Sequence, residues 1–292
     1  FNNILWNQLG LDISNGGPFN NNYNKIAVSN DGKVFAYSKL YSVLDPSQVE
    51  QAVTNWTLRT IPTNFSSGYN NAIAWSPQLQ IFVVVGQGTS NTKTMYSYNG
   101  IDWYLGSMLT SLGGIGCKTV CWSPQRNLFV AIGGYERDNI SDYKAMTSSD
   151  GINWTERITP TISRNLQWVS ICWSPELSLF VAVSVNSGGV ITSSDGTTWI
   201  VSSLSNIVVG RYTSICWSAK LGIFVVIEYA GSGVITSKDG KIWNRHIHVD
   251  TALQGNYWQC VCWSAQLGLF VAVGSSGTYR IMTSNNGIDW TP

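Results

Sequence analysis

The segment VSICWSPELSLFVAVSVNSGGVITSSDGTTWIVS, residues 169–202, decides the architecture. Val169 to Ser174 alternates in polarity and suits a strand with two unlike faces. Pro175 to Ser178 makes a turn. Leu179 to Val183 is continuously apolar, as expected of a strand covered on both sides. Val190 to Ser193 reads as a third strand. Asp195-Gly196 then turns tightly, because Gly tolerates positive φ and Asp bonds neighbouring backbone amides. Trp199 to Ser202 opens a fourth strand. Four short antiparallel strands without helical periodicity are one blade of a β-propeller.

The same pattern recurs along the chain. Its first Trp stands at Trp75, Trp122, Trp173, Trp217 and Trp263, and its second at Trp103, Trp154, Trp199, Trp243 and Trp290. A repeat of this length is the mark of a propeller, solenoid or array. A sixth, degenerate copy begins at Ile26-Ala27-Val28-Ser29, continues through Val34 to Tyr37 and closes on Trp56. Repeats therefore start near 26, 73, 120, 171, 215 and 261. They predict one all-β domain over 1–292, a six-bladed propeller of four-stranded antiparallel blades. Asn2-Asn3-Ile4-Leu5-Trp6 matches Asn286-Gly287-Ile288-Asp289-Trp290. Residues 4–10 are thus expected to join the last blade as its outer strand, closing the ring and hiding its edges.

Composition narrows the partners. Only 11% of the 292 residues are charged and the net charge is +1. No basic field exists to draw in nucleic acid, and no apolar run approaches the ~18 residues of a membrane span. With 14 Trp and 13 Tyr, a glycan or protein surface is the expected partner. The start at Phe1, without a signal-like segment, fits a processed or excised product.

Six cysteines are present. Cys121, Cys172, Cys216 and Cys262 directly precede the first Trp of their repeats, where Ala27 and Ala74 stand in the other two. A slot that accepts Cys or Ala is expected to be small and buried. Cys117 and Cys260 lie four and two residues earlier, on the same face of a regular strand. No metal site and no cofactor are expected.

The turns resemble the Asp-box (bacterial neuraminidase) repeat of sialidase-like β-propellers. The matching residues are Ser148, Asp150, Gly151 and Trp154; Ser193, Asp195, Gly196 and Trp199; and Ser237, Asp239, Gly240 and Trp243. Looser matches run from Ser97 to Trp103 and from Ser284 to Trp290. The family motif has one residue between Asp and Gly, and here there is none. The resemblance implies a propeller in which the boxes are folding devices remote from any active site. Sialidase chemistry in that family needs three arginines, a Tyr–Glu nucleophile pair and an acidic Asp. Its early Arg-Ile-Pro signature is missing here, and Arg59-Thr60-Ile61-Pro62 is only a near miss. No Gly-x-Ser-x-Gly elbow or His-Glu-x-x-His motif occurs either. No catalytic residue is assigned.

Repeat logic separates two ends of the ring. One end carries near-identical Ser-Pro and Asp-Gly turns, whereas the other carries loops that differ in every copy, where binding usually resides. Five residues before each first-Trp slot stand Tyr23, Asn70, Cys117, Trp168, Tyr212 and Trp258, with Arg211 and Tyr257 beside two of them. Aromatic faces with polar neighbours suit stacking against sugar rings. The competing possibility is that these rings wedge between blades. The longest polar loop adds Tyr135 and Arg137. The ligand-binding set is therefore Tyr23, Trp168, Arg211, Tyr212, Tyr257, Trp258, Tyr135 and Arg137. The expected function is a non-enzymatic, lectin-like recognition module. The alternatives are a glycoside hydrolase or lyase on the same frame, or a structural docking propeller. A secreted, virion or cell-surface setting fits the lectin-like function.

Overall fold

A computed structural model describes residues 23–28, 34–38, 59–62, 68–88, 92–107, 116–133, 144–160, 167–185, 188–202, 210–230, 233–247, 253 and 255–292. Six antiparallel sheets occur among them, each built in chain order. The first pairs β1 (Tyr23–Val28) with β2 (Val34–Ser38). The second holds β3 (Gly68–Ser76), β4 (Ile81–Gly88), β5 (Thr92–Ser97) and β6 (Tyr104–Leu105). The third holds β7 (Cys117–Ser123), β8 (Leu128–Gly133), β9 (Lys144–Ser148) and β10 (Thr155–Ile158). The fourth holds β11 (Trp168–Ser174), β12 (Leu179–Ser184), β13 (Val190–Ser193) and β14 (Ile200–Val201). The fifth holds β15 (Tyr212–Ser218), β16 (Ile223–Glu228), β17 (Gly233–Ser237) and β18 (Asn244–Ile247). The sixth holds β19 (Trp258–Ser264), β20 (Leu269–Gly274) and β21 (Ile281–Ser284), with Thr291 bridged to Thr283 where a fourth strand would begin. The expected closing strand at 4–10 and the Trp56 that ends the first repeat lie outside the described residues.

The first strands of successive sheets pack side by side, β3 on β7, β7 on β11, β11 on β15 and β15 on β19. β1 touches both β19 and β3. In the second to fifth sheets the second strand packs against the first strand of the next sheet and carries the continuous apolar run. Phe180, Val181, Ala182 and Val183 are fully buried, as are Phe224 to Ile227.

A column of three rings fills the turn end of each repeat. The first Trp faces the Phe of the second strand, with ring centroids 4.3 to 4.5 Å apart in all five complete copies. The second Trp covers the far side of that Phe in four of them, at 6.2 to 6.5 Å. These tilted contacts contribute beyond their buried area.

Two turns hold each column. In the first, the Ser after the Trp accepts a backbone N–H three residues on, as Ser76 does from Leu79 at 3.1 Å and Ser174 from Leu177 at 3.2 Å. In the second, Ser148 Oγ accepts the Gly151 N–H at 2.8 Å while donating to Asp150 Oδ1. Asp150 Oδ1 then accepts the N–H groups of Ile152 and Asn153 at 2.8 and 2.7 Å. The looser copies are equally complete, since Asn99 and Asn286 accept the same pairs of N–H groups. Gly151 adopts φ +77°, and a Cβ there would come within 2.7 Å of Val83 Cγ2 on the preceding sheet. A glycine is needed for both reasons.

An amide–carboxylate pair braces three of these turns, and its polarity is interchangeable. Asn153 Nδ2 donates to Asp150 Oδ2, whereas Asn99 donates to Asp102 and Asn286 to Asp289, all at 2.8 Å. Partial desolvation opposes ionisation of Asp150, but the hydrogen bonds from Asn153, Ile152 and Ser148 outweigh it and hold its carboxyl at about 2, below the ordinary carboxylate range. Partial desolvation also opposes ionisation of Asp195 and Asp239, and the hydrogen bonds they accept together outweigh it and lower both.

A further tie crosses three of the seams between sheets. Trp122 Nε1 donates to Gln78 Oε1 at 2.8 Å, Trp173 Nε1 to Gln125 Oε1 at 2.7 Å and Trp217 Nε1 to Glu176 Oε2 at 2.6 Å. Each acceptor sits two residues after the Ser of the preceding sheet's turn.

One sequence expectation is corrected. Cys117 and Cys121 do not share a face, because a bulge shifts the register between Cys117 and Thr119. An extra residue in one strand reverses which side the preceding residues face. Cys117 packs with Ala72, Val83 and Val85 of the second sheet, whereas Cys121 packs against the fourth-sheet cluster around Trp173 and Phe180. The slot cysteines are half-buried, not enclosed.

The brace makes a specific double-mutant prediction. Asn153→Asp places two carboxylates together and is expected to lower unfolding stability by about 1 kcal/mol. Adding Asp150→Asn recreates the Asn99–Asp102 arrangement and should return stability close to wild type in urea melts. A double variant no more stable than Asn153→Asp would show that the pair does not organise the turn. Because the Asp150 pKa is depressed on folding, its contribution is complete above pH ~4 and lost as pH falls toward 2. Asp150→Asn should flatten that part of the stability–pH curve.

Candidate functional site

The eight sequence-expected ligand residues separate into three groups. Trp168, Tyr212 and Trp258 are almost completely buried. Trp168 packs with Val130, Ile132 and Ala145 of the third sheet, Tyr212 with Val181, Val183 and Val190 of the fourth, and Trp258 with Val225, Ile227 and Val234 of the fifth. They are wedges between sheets and present no face to a ligand, which corrects their expected role. A bulge recurs in all three strands, between Trp168 and Ser170, Tyr212 and Ser214, and Trp258 and Cys260, and turns these side chains toward the preceding sheet. Tyr23 begins β1, and only its backbone is described. Tyr135 and Arg137 lie outside the described residues.

Arg211 and Tyr257 are brought together on the surface. Each immediately precedes a buried wedge. Tyr229, at the end of β16, joins them. Arg211 Cζ lies 4.6 Å from the centroid of the Tyr229 ring, within range of a cation–π contact. The Tyr229 and Tyr257 rings are 4.9 Å apart at 59°. Tyr257 is 40% exposed, enough to offer part of a ring face. Main-chain bonds fix all three. Tyr229 N donates to Arg211 O at 2.6 Å, Trp258 N to Tyr229 O at 2.9 Å, and Tyr257 N to Ser276 O at 3.0 Å. Gln259 Nε2 donates to Ser275 Oγ at 3.1 Å beside them.

Beneath this surface lies a buried ion pair. Glu228 faces Tyr212 across β15 and β16 and is only 2% exposed. Arg245 grips it with two parallel bonds, Nε to Oε1 at 2.8 Å and Nη2 to Oε2 at 2.9 Å, the strong fork geometry. Tyr212, Glu228 and Arg245 thus assemble the residue types of a sialidase nucleophile group, with the opposite chemistry. Burial, then the Glu228 charge, pushes the Tyr212 hydroxyl up to about 12. A nucleophilic Tyr needs access and a lowered pKa. This one has neither.

Cys117 and Cys262 also lack nucleophilic character. Burial pushes Cys117 up to about 12 and Cys262 up to about 11. Among the described residues no three His, Cys, Asp or Glu side chains converge on a metal position. A shallow cleft of about 430 Å³ runs between Arg59–Pro62 and Ile101–Tyr104, at the turn end of the second sheet. Both of its charged residues, Arg59 and Asp102, are exposed. No described helix is long and apolar enough to cross a membrane.

Sequence reasoning missed Tyr229. The register that located Arg211 and Tyr257 aligned only first strands, whereas Tyr229 ends a second strand. The available signal was its place in the variable segment 228–233.

No protein-family model matches the chain, and no curated protein matches it. Solved structures match its fold. The β-propeller domain of Cps50 (Swd1) from Myceliophteria thermophila aligns at 12% identity with a TM-score of 0.51, over 75% of this chain and 70% of that one. The periplasmic gluconolactonase of Pseudomonas aeruginosa aligns at 9% identity and TM-score 0.55, over 73% and 67%. A chain of a nidogen/laminin complex aligns at 11% identity and TM-score 0.51, over 74% and 83%. The chain has a β-propeller fold. At these identities the likeness carries architecture and no activity.

Wedge and surface residues should separate on mutation. Trp168→Ala is expected to cost about 3–5 kcal/mol in urea unfolding. Arg211→Ala and Tyr257→Ala should each cost no more than about 1 kcal/mol. Comparable losses for all three would mean that Tyr257 belongs to the core.

Proposed function

We propose that the chain is a six-bladed propeller of the shortened Asp-box type and that it acts as a non-enzymatic glycan-recognition module. In this proposal residues 4–10 complete the outer edge of the last blade, and β1 closes the ring between β19 and β3. The contacts of β1 with both strands support that closure.

The observation that carries the functional proposal is the surface group of Arg211, Tyr229 and Tyr257. Two tyrosines tilted against each other give a ligand an apolar C–H contact at one ring and hydroxyl contacts at its rim. Arg211, held over Tyr229, supplies five fixed donors for sugar oxygens. Gln259 and Ser275 add polar groups. The ligand class is a glycan, presented to a module that is secreted or carried on a virion or cell surface. Tyr135 and Arg137 extend the same variable end. A protein-docking role is the second possibility, favoured by the outer strands, where Ile158, Ile200 and Ile247 are exposed.

A glycan array probed with wild-type protein, Tyr257→Ala and Arg211→Ala tests the proposal. Retention on a defined glycan is expected, with an approximately tenfold or greater loss in each variant. Folded wild-type protein that binds no glycan, or variants that bind as well as wild type, would overturn it. Ile158→Asp leaves glycan retention unchanged under the recognition proposal and abolishes partner capture under the docking one.

A further inference from the structure

One seam departs from the tryptophan ties that hold the others. Between the fifth and sixth sheets the donor is Trp263, and the acceptor position falls on Lys220, which carries no acceptor. Trp263 Nε1 is buried and has no hydrogen-bond partner. In the three neighbouring seams the same nitrogen meets a Gln or Glu oxygen at 2.6 to 2.8 Å. A buried N–H without an acceptor is costly.

The turns beside this seam also differ in their last residue. The last turn position is Gln80, Asn127 and Ser178 in the second to fourth sheets, all at positive φ. In the fifth and sixth sheets it is Gly222 and Gly268, each at φ +62°. A Cβ at Gly222 would meet nothing within 4 Å, and one at Gly268 would meet only Lys220 Nζ, at 3.1 Å. The Lys220 ammonium thus reaches across to the turn after β19, and the Trp263 N–H of that sheet has no oxygen to meet.

We propose that this seam binds a carboxylate. One ligand oxygen takes the acceptor position in front of Trp263 Nε1, and Lys220 pairs with the charge. The fourth–fifth seam shows that a carboxylate fits there, because Glu176 Oε2 accepts from Trp217 Nε1 at 2.6 Å. At the fifth–sixth seam the carboxylate comes from outside the chain. The site lies on the turn end, opposite Arg211 and Tyr257, and does not depend on glycan binding there. A free small carboxylate and an acidic side chain of a protein partner supply the same chemistry.

Indole ¹H–¹⁵N spectra test this, with the Trp263 signal assigned by its loss in Trp263→Phe. Acetate and a tetraglutamate peptide are titrated separately at constant ionic strength, with chloride as control. The Trp263 signal is expected to move downfield saturably while those of Trp122, Trp173 and Trp217 stay fixed. A response to acetate identifies a small-carboxylate site, and a response to the peptide alone identifies an acidic partner. Lys220→Met should weaken binding about tenfold or more. Lys220→Gln supplies the missing acceptor internally. It should shift the signal without ligand, abolish the titration and raise Tm by about 2–4 °C. If neither probe moves Trp263, or if Lys220→Gln titrates like wild type, the site does not exist.

Discussion

The third, fourth and fifth sheets each carry an indole whose acceptor stands in the sheet before it. The first Trp of a repeat is pinned against its own Phe, and its N–H reaches the turn of the sheet before it. A missing acceptor costs about 1–3 kcal/mol. The residue two after each turn Ser is therefore constrained by the neighbouring sheet as much as by its own. The box glycine is constrained in the same direction, since Gly151, Gly196 and Gly287 each leave no room for a Cβ against a Val of the preceding sheet. These obligations explain why the turn end is uniform. The loops at the opposite end differ in sequence from copy to copy.

Much of this was legible in the sequence because it is local chemistry repeated. The Ser-Pro or Ser-Ala turn, the apolar second strand and the Asp-Gly or Asn-Gly box stand where the sequence pattern puts them in each of the five complete copies. The strict and loose boxes proved equivalent, because an Asn Oδ1 accepts the same two N–H groups as an Asp. The pairing of Asp150 with Asn153, reversed as Asn99 with Asp102, was hidden because the two positions exchange roles and neither keeps one identity.

The facing of the first strands was not legible. Simple alternation gives Cys117 and Cys121 one side, but a recurrent bulge at the fourth residue before the Trp breaks the alternation. Sequence carries no mark for a bulge built from Lys118, Val169, Thr213 and Gln259, which share no chemistry. Its consequence for the site is large. In the adjacent pairs Arg211–Tyr212 and Tyr257–Trp258, the second residue becomes a wedge and the first is left at the surface. The aromatic register picked out Trp168, Tyr212 and Trp258, which are buried between sheets, together with their surface neighbours Arg211 and Tyr257.

Repetition of the frame does not make the exposed surface symmetric. The residue before the wedge is Gly116 in the third sheet and Gln167 in the fourth, but Arg211 and Tyr257 in the fifth and sixth. Large groups therefore gather at one seam, the same seam whose indole tie is missing. That seam is held instead from its variable end. Trp258 N donates to Tyr229 O, Thr213 Oγ1 donates to Trp258 O at 3.0 Å, and Val261 N donates to Ser214 Oγ at 3.2 Å. The bonds that keep the fifth and sixth sheets together include those that set Tyr229 against Tyr257. Cohesion and ring placement share the same atoms there, so a ligand seated on the two rings would draw directly on the rigidity of the seam.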